Sequence, residues 1–195
     1  MLKIGTHDSA TGESGKGLLS WLITPFSKTQ SKTIKEQLDA GCRLFDIRVK
    51  RYGDTWRCAH GLWKSKKTAW EIIGEINDYD AVCAVWITYE GKGKDNDKFL
   101  AFVDELKRNY TNICYGGVAV KYGDEAHGVK VKYTYLLPMD SDYASRFGTT
   151  PSEQAFVALD GRSWHTYLPI PWLWYKIYKC PNQFVEDKYR YVDFL

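Results

Sequence analysis

Short apolar runs alternate along the chain with stretches of helical periodicity. Strands are predicted over 2–4, 43–49 and 81–90: the first is a short apolar run, the second ends in charged residues, and the third, AVCAVWITYE, is a continuous apolar run. Such a run indicates a strand that is buried on both faces of a parallel sheet. Helical spacing is found over residues 18–26, 32–40, 68–76 and 95–110. The first half of the chain therefore predicts strands that alternate with helices, and hence a parallel sheet.

The stretch 95–110 predicts the clearest helix. Phe99, Phe102, Val103 and Leu106 recur at helical spacing on one face, and Asp95 stands near the start, where a carboxylate favours the helix dipole. This helix is expected to pack its apolar face on the sheet.

The pattern changes after residue 113. Residues 118–138 predict two strands with a tight connection around Gly123–Gly128, and the stretches 154–161 and 188–195 predict two more. A separate strand is predicted over 55–61. Seven or eight strands in one domain, residues 1–195, favour an α/β fold, a small TIM-type (βα) barrel. Because 195 residues lie just under the ~200 that such barrels usually need, some helices are expected to be shortened or missing.

Composition limits the class of protein. The net charge is only +3, with 27 basic and 24 acidic residues, so nucleic acid is not an expected partner, whereas an anionic membrane surface is compatible. The five cysteines are odd in number and widely separated, which favours buried free thiols over disulfides or zinc. We expect a monomer that needs no cofactor.

The chain carries no pattern of a secretory signal, and its longest apolar stretches fall short of the ~20 residues of a spanning helix. A cytoplasmic protein, or a trimmed form of a secreted one, is the expectation.

Polar residues capable of acid–base or phosphate-binding chemistry stand at or just after the ends of the predicted strands. They are His7 and Asp8 in the stretch GTHDSAT, then Asp46, Arg48, His60, Glu90 and Asp193. Because the carboxyl ends of barrel strands meet at one rim, these side chains are expected to share a cavity. Two imidazoles, several carboxylates and a guanidinium supply a base, an acid and a fixed cation, which are the requirements of phosphodiester cleavage.

Three motifs in this order, GTHDSAT, QLDAGCRLFDIRV and AHG, resemble the X domain of phosphatidylinositol-specific phospholipase C in its bacterial, metal-independent form. The resemblance implies that His7 is the general base and His60 the general acid. It implies that Asp8 supports the acid and that Asp46 and Arg48 form the D-x-R pair. A short likeness of YVDF to a late strand of the family implies that Asp193 orients the base.

Arg48 stands where the metal-dependent relatives in this resemblance present a carboxylate. A guanidinium cannot ligate Ca²⁺ or Mg²⁺, but it can bind phosphate through its fork of N–H donors. No metal is therefore expected. Glu90 and Lys92 lie near a position that contacts the headgroup in relatives, and they are the expected substrate-binding residues.

Aromatic residues are numerous, with eight tryptophans and fourteen tyrosines. Trp21, Trp172 and Trp174 lie in clusters suited either to the core or to a lipid headgroup layer, and the resemblance favours the membrane interface. His127 and His165 have no motif partner.

The leading hypothesis is a phospholipase C, a phosphoric diester lyase that acts on a phospholipid headgroup at a membrane surface. Internal attack by a neighbouring hydroxyl would release diacylglycerol and a cyclic inositol phosphate. Two alternatives stay open: a phosphodiesterase for another, soluble headgroup, and a non-catalytic barrel that binds headgroups.

Overall fold

The computed structural model describes residues 4–91, 95–120, 134–137, 156–157 and 190–192. Its strands are β1 Ile4–Thr6, β2 Leu44–Tyr52, β3 Thr55–His60, β4 Trp63–Thr68, β5 Cys83–Tyr89, β6 Ile113–Val120, β7 Thr134–Leu137, β8 Phe156–Val157 and β9 Arg190–Val192. Its helices are α1 Gly17–Ser27, α2 Ile34–Asp39, α3 Ala69–Asn77 and α4 Asn96–Asn109, with a 3₁₀ turn over Ser9–Gly12.

The centre of the sheet is parallel. Strands follow the order β7-β6-β5-β2-β1-β9-β8, and every neighbouring pair from β6 to β8 along this order is parallel. All seven residues of β5 are buried, as the continuous apolar run predicts. The predicted α/β class is thus confirmed, and the helices are fewer than the strands in the described part of the chain, as expected of a small, reduced barrel.

Local sequence explains where the shorter helices begin. Thr33 caps α2 and Thr68 caps α3, and in each case a glutamate three residues on, Glu36 or Glu71, accepts the N–H of the capping threonine. This reciprocal pairing satisfies backbone donors that the first turn of a helix leaves without partners. The two helices therefore start at residues fixed by the sequence itself.

The core lies between the sheet and helices α2, α3 and α4. The predicted apolar face of α4, formed by Phe99, Phe102, Val103 and Leu106, is buried in it. Trp56 of β3 stacks on Phe102 with ring centroids 4.9 Å apart. Packing thus ties β3 to α4.

The region 55–68 corrects the sequence prediction. The stretch 55–61 was expected to be one parallel strand, but β3 runs antiparallel to β2 and continues into a second antiparallel strand, β4. The turn of β3 and β4 contains Gly61 at a φ of +60°, a conformation that favours glycine. The polar and basic sequence of β4, WKSKKT, gave no sign of a strand because only two of its residues are buried.

The strand pair after residue 113 and the buried cysteines agree with the sequence prediction. β6 and β7 are the predicted antiparallel pair after residue 113, although their connection lies outside the described residues. Cys42, Cys58, Cys83 and Cys114 are buried free thiols, and burial raises the pKa of Cys42 to about 12. Cys180 lies outside the described residues. Within the described ranges, no helix has the length and apolarity to cross a membrane.

Candidate active site

Most of the predicted site residues converge from three parallel strands. His7 and Asp8 follow β1, Asp46 and Arg48 belong to β2, and Glu90 follows β5. The parallel register aligns the ends of these strands, since Thr6 lies opposite Phe45 and Arg48 lies opposite Thr88. The chemistry thus gathers at the carboxyl edge of the parallel sheet, as expected for such folds.

His60 reaches the same edge by a different route. It ends β3, which returns alongside β2 so that Cys58 pairs with Val49. The antiparallel return brings the imidazole back to the level of the Asp46 and Arg48 pair. His60 therefore enters the site through the antiparallel β2–β3 hairpin, and not because it ends a parallel strand.

Arg48 is the hub of the site. Its Nε lies 2.6 Å from Asp8 Oδ1, its Nη2 lies 2.9 Å from Asp46 Oδ2, and its Nη1 lies 3.6 Å from Glu90 Oε1. The guanidinium side chain is only 6% exposed, and the three carboxylates around it are more deeply buried. Breaking such a buried pair by removing one partner typically costs about 3–5 kcal/mol, so the arginine is firmly fixed.

Asp8 has a strained backbone. Its φ of 44° and ψ of 50° are left-handed, a conformation that costs a residue with a side chain about 1–2 kcal/mol and that aspartate tolerates better than most. The Asp8 N–H donates to Asp46 Oδ2 at 3.0 Å, which compensates part of this cost. Strain held in this way is typical of functional positions.

Both histidines face the Asp8 carboxylate. His7 Nε2 and His60 Nε2 each lie 3.4 Å from the same atom, Asp8 Oδ2. Their side chains are 18% and 24% exposed, whereas that of Asp8 is 1% exposed. Two partly accessible imidazoles therefore stand around one buried carboxylate oxygen.

The contacts of the two rings indicate different proton positions. Arg48 Nη2 lies 2.8 Å from His7 Nε2, and because a guanidinium only donates, this nitrogen must offer its lone pair. His60 Nδ1 lies 2.7 Å from the carbonyl oxygen of Ser27, which only accepts, so Nδ1 of His60 carries a proton. His7 is thus arranged as a proton acceptor, and His60 has its Nε2 left to face the site.

Glu90 contacts protein groups with both oxygens. Besides the Arg48 contact, its Oε2 accepts the N–H of Gly61 at 3.1 Å, and its side chain is 2% exposed. Gly61 is the neighbour of His60 in the hairpin turn. Glu90 thus links the turn beside His60 to Arg48. This geometry favours a structural role for Glu90 over the predicted contact with substrate.

On the hypothesis of phosphodiester cleavage, we expect Glu90→Gln to reduce turnover by about tenfold with little change in KM. The amide oxygen can still accept the Gly61 N–H, but the charge beside Arg48 is lost, and a charge-assisted hydrogen bond contributes about 1.5–3 kcal/mol. Steady-state kinetics on a soluble substrate measure this. Glu105→Gln, at an exposed position on α4, is the matched control. A rise in KM with unchanged kcat would instead assign Glu90 to substrate binding.

A cation could compete for part of this site. His7, Asp8 and Asp46 offer donor atoms that all lie within 4.8 Å of one another, the spacing of a metal-ligand group. The Arg48 Nη2 atom, however, already contacts both His7 Nε2 and Asp46 Oδ2. A metal ion held by these three residues would stand against the guanidinium charge, so the donor set fits a divalent cation poorly while Arg48 is present.

The segment 27–30, which no sequence pattern assigns to the site, holds both histidines through Ser27, Thr29 and Gln30. These small polar residues form no motif, and their contacts appear only in the folded chain. Lys92 and Asp193 lie outside the described residues, as do Trp172, Trp174, His127 and His165.

Trp21 lies on α1 and is 70% exposed. Four more large apolar side chains of this helix are at least half exposed, namely Leu18, Leu19, Leu22 and Phe26. Leu62, beside the His60 turn, is 68% exposed. A cavity of about 370 Å³ at this helix is lined by Trp21, Leu22, Thr24, Pro25 and Lys28. Trp21 is thus not a core residue, and an apolar surface of this kind commonly marks an interaction site.

No family model matches the chain. It is 28% identical over 137 residues to a PI-PLC X-box domain-containing protein of Dictyostelium discoideum, which covers 63% of this chain but only 19% of that protein. The chain thus spans about a fifth of that relative's length.

Two solved structures are also similar. A phosphatidylinositol-specific phospholipase C from Listeria monocytogenes aligns with 94% of this chain and 70% of its own, at 19% identity and a TM-score of 0.49. The F249X mutant of the enzyme from Staphylococcus aureus aligns with 70% of this chain and 52% of its own, at 14% identity and a TM-score of 0.47. The sequence likeness to the X-box protein supports, at the level of the family, the resemblance to phosphatidylinositol-specific phospholipase C that the motifs predict.

Proposed function

We propose that the chain is a phospholipase C that cleaves the phosphodiester of phosphatidylinositol, or of a closely related lipid, without a metal ion. The observation that carries the proposal is the placement of two imidazoles at 3.4 Å from one Asp8 oxygen, with Arg48 bonded to the same aspartate. A barrel that only binds headgroups needs a positively charged side chain for the phosphate but no pair of imidazoles, so this arrangement favours catalysis.

In the proposed reaction, the bound phosphate draws Arg48 Nη2 away from His7 Nε2, and the freed lone pair of Nε2 takes the proton of the substrate hydroxyl beside the phosphate. That oxygen then attacks phosphorus, and the bond from phosphorus to the diacylglycerol oxygen breaks. His60 Nε2 donates its proton to the leaving oxygen, so the products are diacylglycerol and a cyclic inositol phosphate. Protons are conserved because the base gains one and the acid loses one, and exchange with water restores both.

The remaining residues support these steps. Arg48 stabilises the negative charge that develops on the phosphoryl oxygens, and Asp46 holds Arg48 in place. Asp8 stabilises the His60 imidazolium before proton transfer. Asp193 is proposed to orient His7, and Lys92 to contact the headgroup; a carboxylate beside an imidazole would set its tautomer.

A phosphorus NMR time course tests the function. Vesicles of phosphatidylinositol, vesicles of phosphatidylcholine and a soluble glycerophosphodiester are each incubated with the chain and with its His7→Ala variant. A cyclic phosphate signal from phosphatidylinositol alone, absent with the variant, is the expected result. Cleavage of the soluble diester alone would favour the alternative headgroup, and no cleavage of any substrate would favour a binding barrel.

We propose further that α1 contacts the lipid surface through its exposed apolar residues, with Trp172 and Trp174 as additional contacts. Trp21→Ala is expected to weaken sedimentation with phosphatidylinositol vesicles by about tenfold or more, because a buried large apolar side chain contributes about 1.5–3 kcal/mol. Cleavage of a soluble substrate should stay unchanged.

Lys35→Ala on α2 is the control, because its side chain is 75% exposed and belongs to another helix. If Trp21→Ala lowers the melting temperature and both activities equally, α1 belongs to the core of a larger assembly and not to a lipid interface.

A further inference from the structure

The segment Ser27 to Gln30, which begins at the last residue of α1, contacts both proposed catalytic histidines. The Ser27 carbonyl accepts from His60 Nδ1 at 2.7 Å. The Thr29 hydroxyl donates to the His7 carbonyl oxygen at 3.0 Å, and Gln30 Nε2 donates to the same oxygen at 2.9 Å. One short segment therefore holds the ring of one histidine and the backbone of the other.

The segment is itself rigidly held. Thr29 is 2% exposed and Gln30 is fully buried. Their two backbone N–H groups donate to Thr11 Oγ1 at 3.1 and 3.2 Å, and Thr11 in turn donates to the Asp8 carbonyl oxygen at 2.8 Å. Each of these polar groups is buried, so the loss of one partner leaves another group unsatisfied.

The contact of His60 arises from the end of a helix. Ser27 is the last residue of α1, where carbonyl groups have no partner within the helix. The imidazole supplies the missing donor, and the bond fixes the His60 ring with its proton on Nδ1. The nitrogen on the opposite side, Nε2, is thereby directed at Asp8.

We propose that Ser27–Gln30 is a positioning element for both histidines. Ser27 sets the tautomer of His60 through its carbonyl, and Thr29 and Gln30 are positioning residues that hold the His7 loop at the distance its base role needs. The effect on turnover rests on the proposed function, whereas the effect on the imidazole rings does not. Misplacement of a reacting group by about 1 Å can cost about 10²-fold in rate, so modest loosening is measurable.

Thr29→Val tests the His7 contact, because valine keeps the branched shape and loses the hydroxyl donor. Thr29→Ser keeps the hydroxyl and is the matched control. On a soluble diester substrate, Thr29→Val is expected to lower kcat by about tenfold with KM within about twofold, and Thr29→Ser to stay near the wild type. A double variant, Thr29→Val with Gln30→Met, is expected to lose more.

Nitrogen-15 NMR of the histidine side chains, recorded on the substrate-free protein, gives a readout that does not need activity. In the neutral imidazole, His60 is expected to carry its proton on Nδ1, and the His7 resonances are expected to shift in Thr29→Val but not in Thr29→Ser. If the wild type cleaves nothing while these signals behave as expected, the proposed function fails and the positioning element stands.

Two results overturn the proposal. One is a neutral His60 with its proton on Nε2. The other is a Thr29→Val variant that unfolds at a lower temperature yet keeps both the His7 resonances and kcat of the wild type, which would show a purely structural role.

Discussion

Arg48→Lys is expected to lower turnover by about 10²- to 10³-fold while the fold is retained. Lysine keeps the positive charge but loses the planar fork that contacts Asp8, Asp46 and Glu90 together. The magnitude is that of removing one preorganised donor to an oxyanion in a transition state. Single-turnover rates on phosphatidylinositol vesicles measure it.

Arg51→Lys is the matched control, since Arg51 lies on the same strand, β2, and pairs with the exposed Asp54. This variant should keep the wild-type rate. A rate for Arg48→Lys within a few-fold of the wild type would remove the guanidinium from the chemistry.

The same proposal predicts that activity survives exhaustive treatment with EDTA and does not rise when Ca²⁺ is added. The reason is that Arg48 Nη2 contacts two of the three candidate metal ligands, His7 Nε2 and Asp46 Oδ2, and already supplies a positive charge at that position. Loss of activity on chelation, with recovery in Ca²⁺ or Mg²⁺, would instead make Asp46 and Glu90 candidate ligands.

His7→Ala and His60→Ala are each expected to reduce turnover by at least ~10²-fold, the scale of one general acid–base group. Each ring offers a separate nitrogen to the site, and both lie 3.4 Å from the same oxygen of Asp8. The wild-type rate should follow a bell against pH, because one histidine must be neutral while the other is protonated.

Initial rates across pH with a soluble substrate test this expectation. Each variant should lose one limb of the bell along with its rate. His127→Ala, which has no motif partner, is the control and should behave as the wild type. Full activity in either His7→Ala or His60→Ala would exclude that histidine from the mechanism.

Much of the site could be predicted because its residues stand beside features that short sequences encode. The apolar run of β5, the single apolar face of α4 and the small polar residues after β1 are all local patterns. Since parallel strands end at one edge, the positions of His7, Asp8, Asp46 and Arg48 follow from the order of strands and helices.

Other features depend on which distant segments meet. The chain reaches His60 by an antiparallel return along β2 through the two-residue turn Gly53–Asp54. That turn is a local hairpin signal, but the polar strand β4 that follows has none. The same holds for Glu90, whose carboxylate bonds the turn at Gly61, 29 positions away in the chain. Such contacts need the register of the folded sheet.

Periodicity and motifs therefore predict the α/β class, the buried strand and the residue types at the edge of the sheet, because each is set by neighbours within a few positions. Tertiary structure decides which nitrogen of His60 carries its proton, through the Ser27 carbonyl 33 positions away, and it holds the His7 carbonyl through Thr29 and Gln30. It also places Asp8 in a left-handed conformation supported by Asp46. These details are fixed by hydrogen bonds between buried groups that only the folded chain brings within reach of one another.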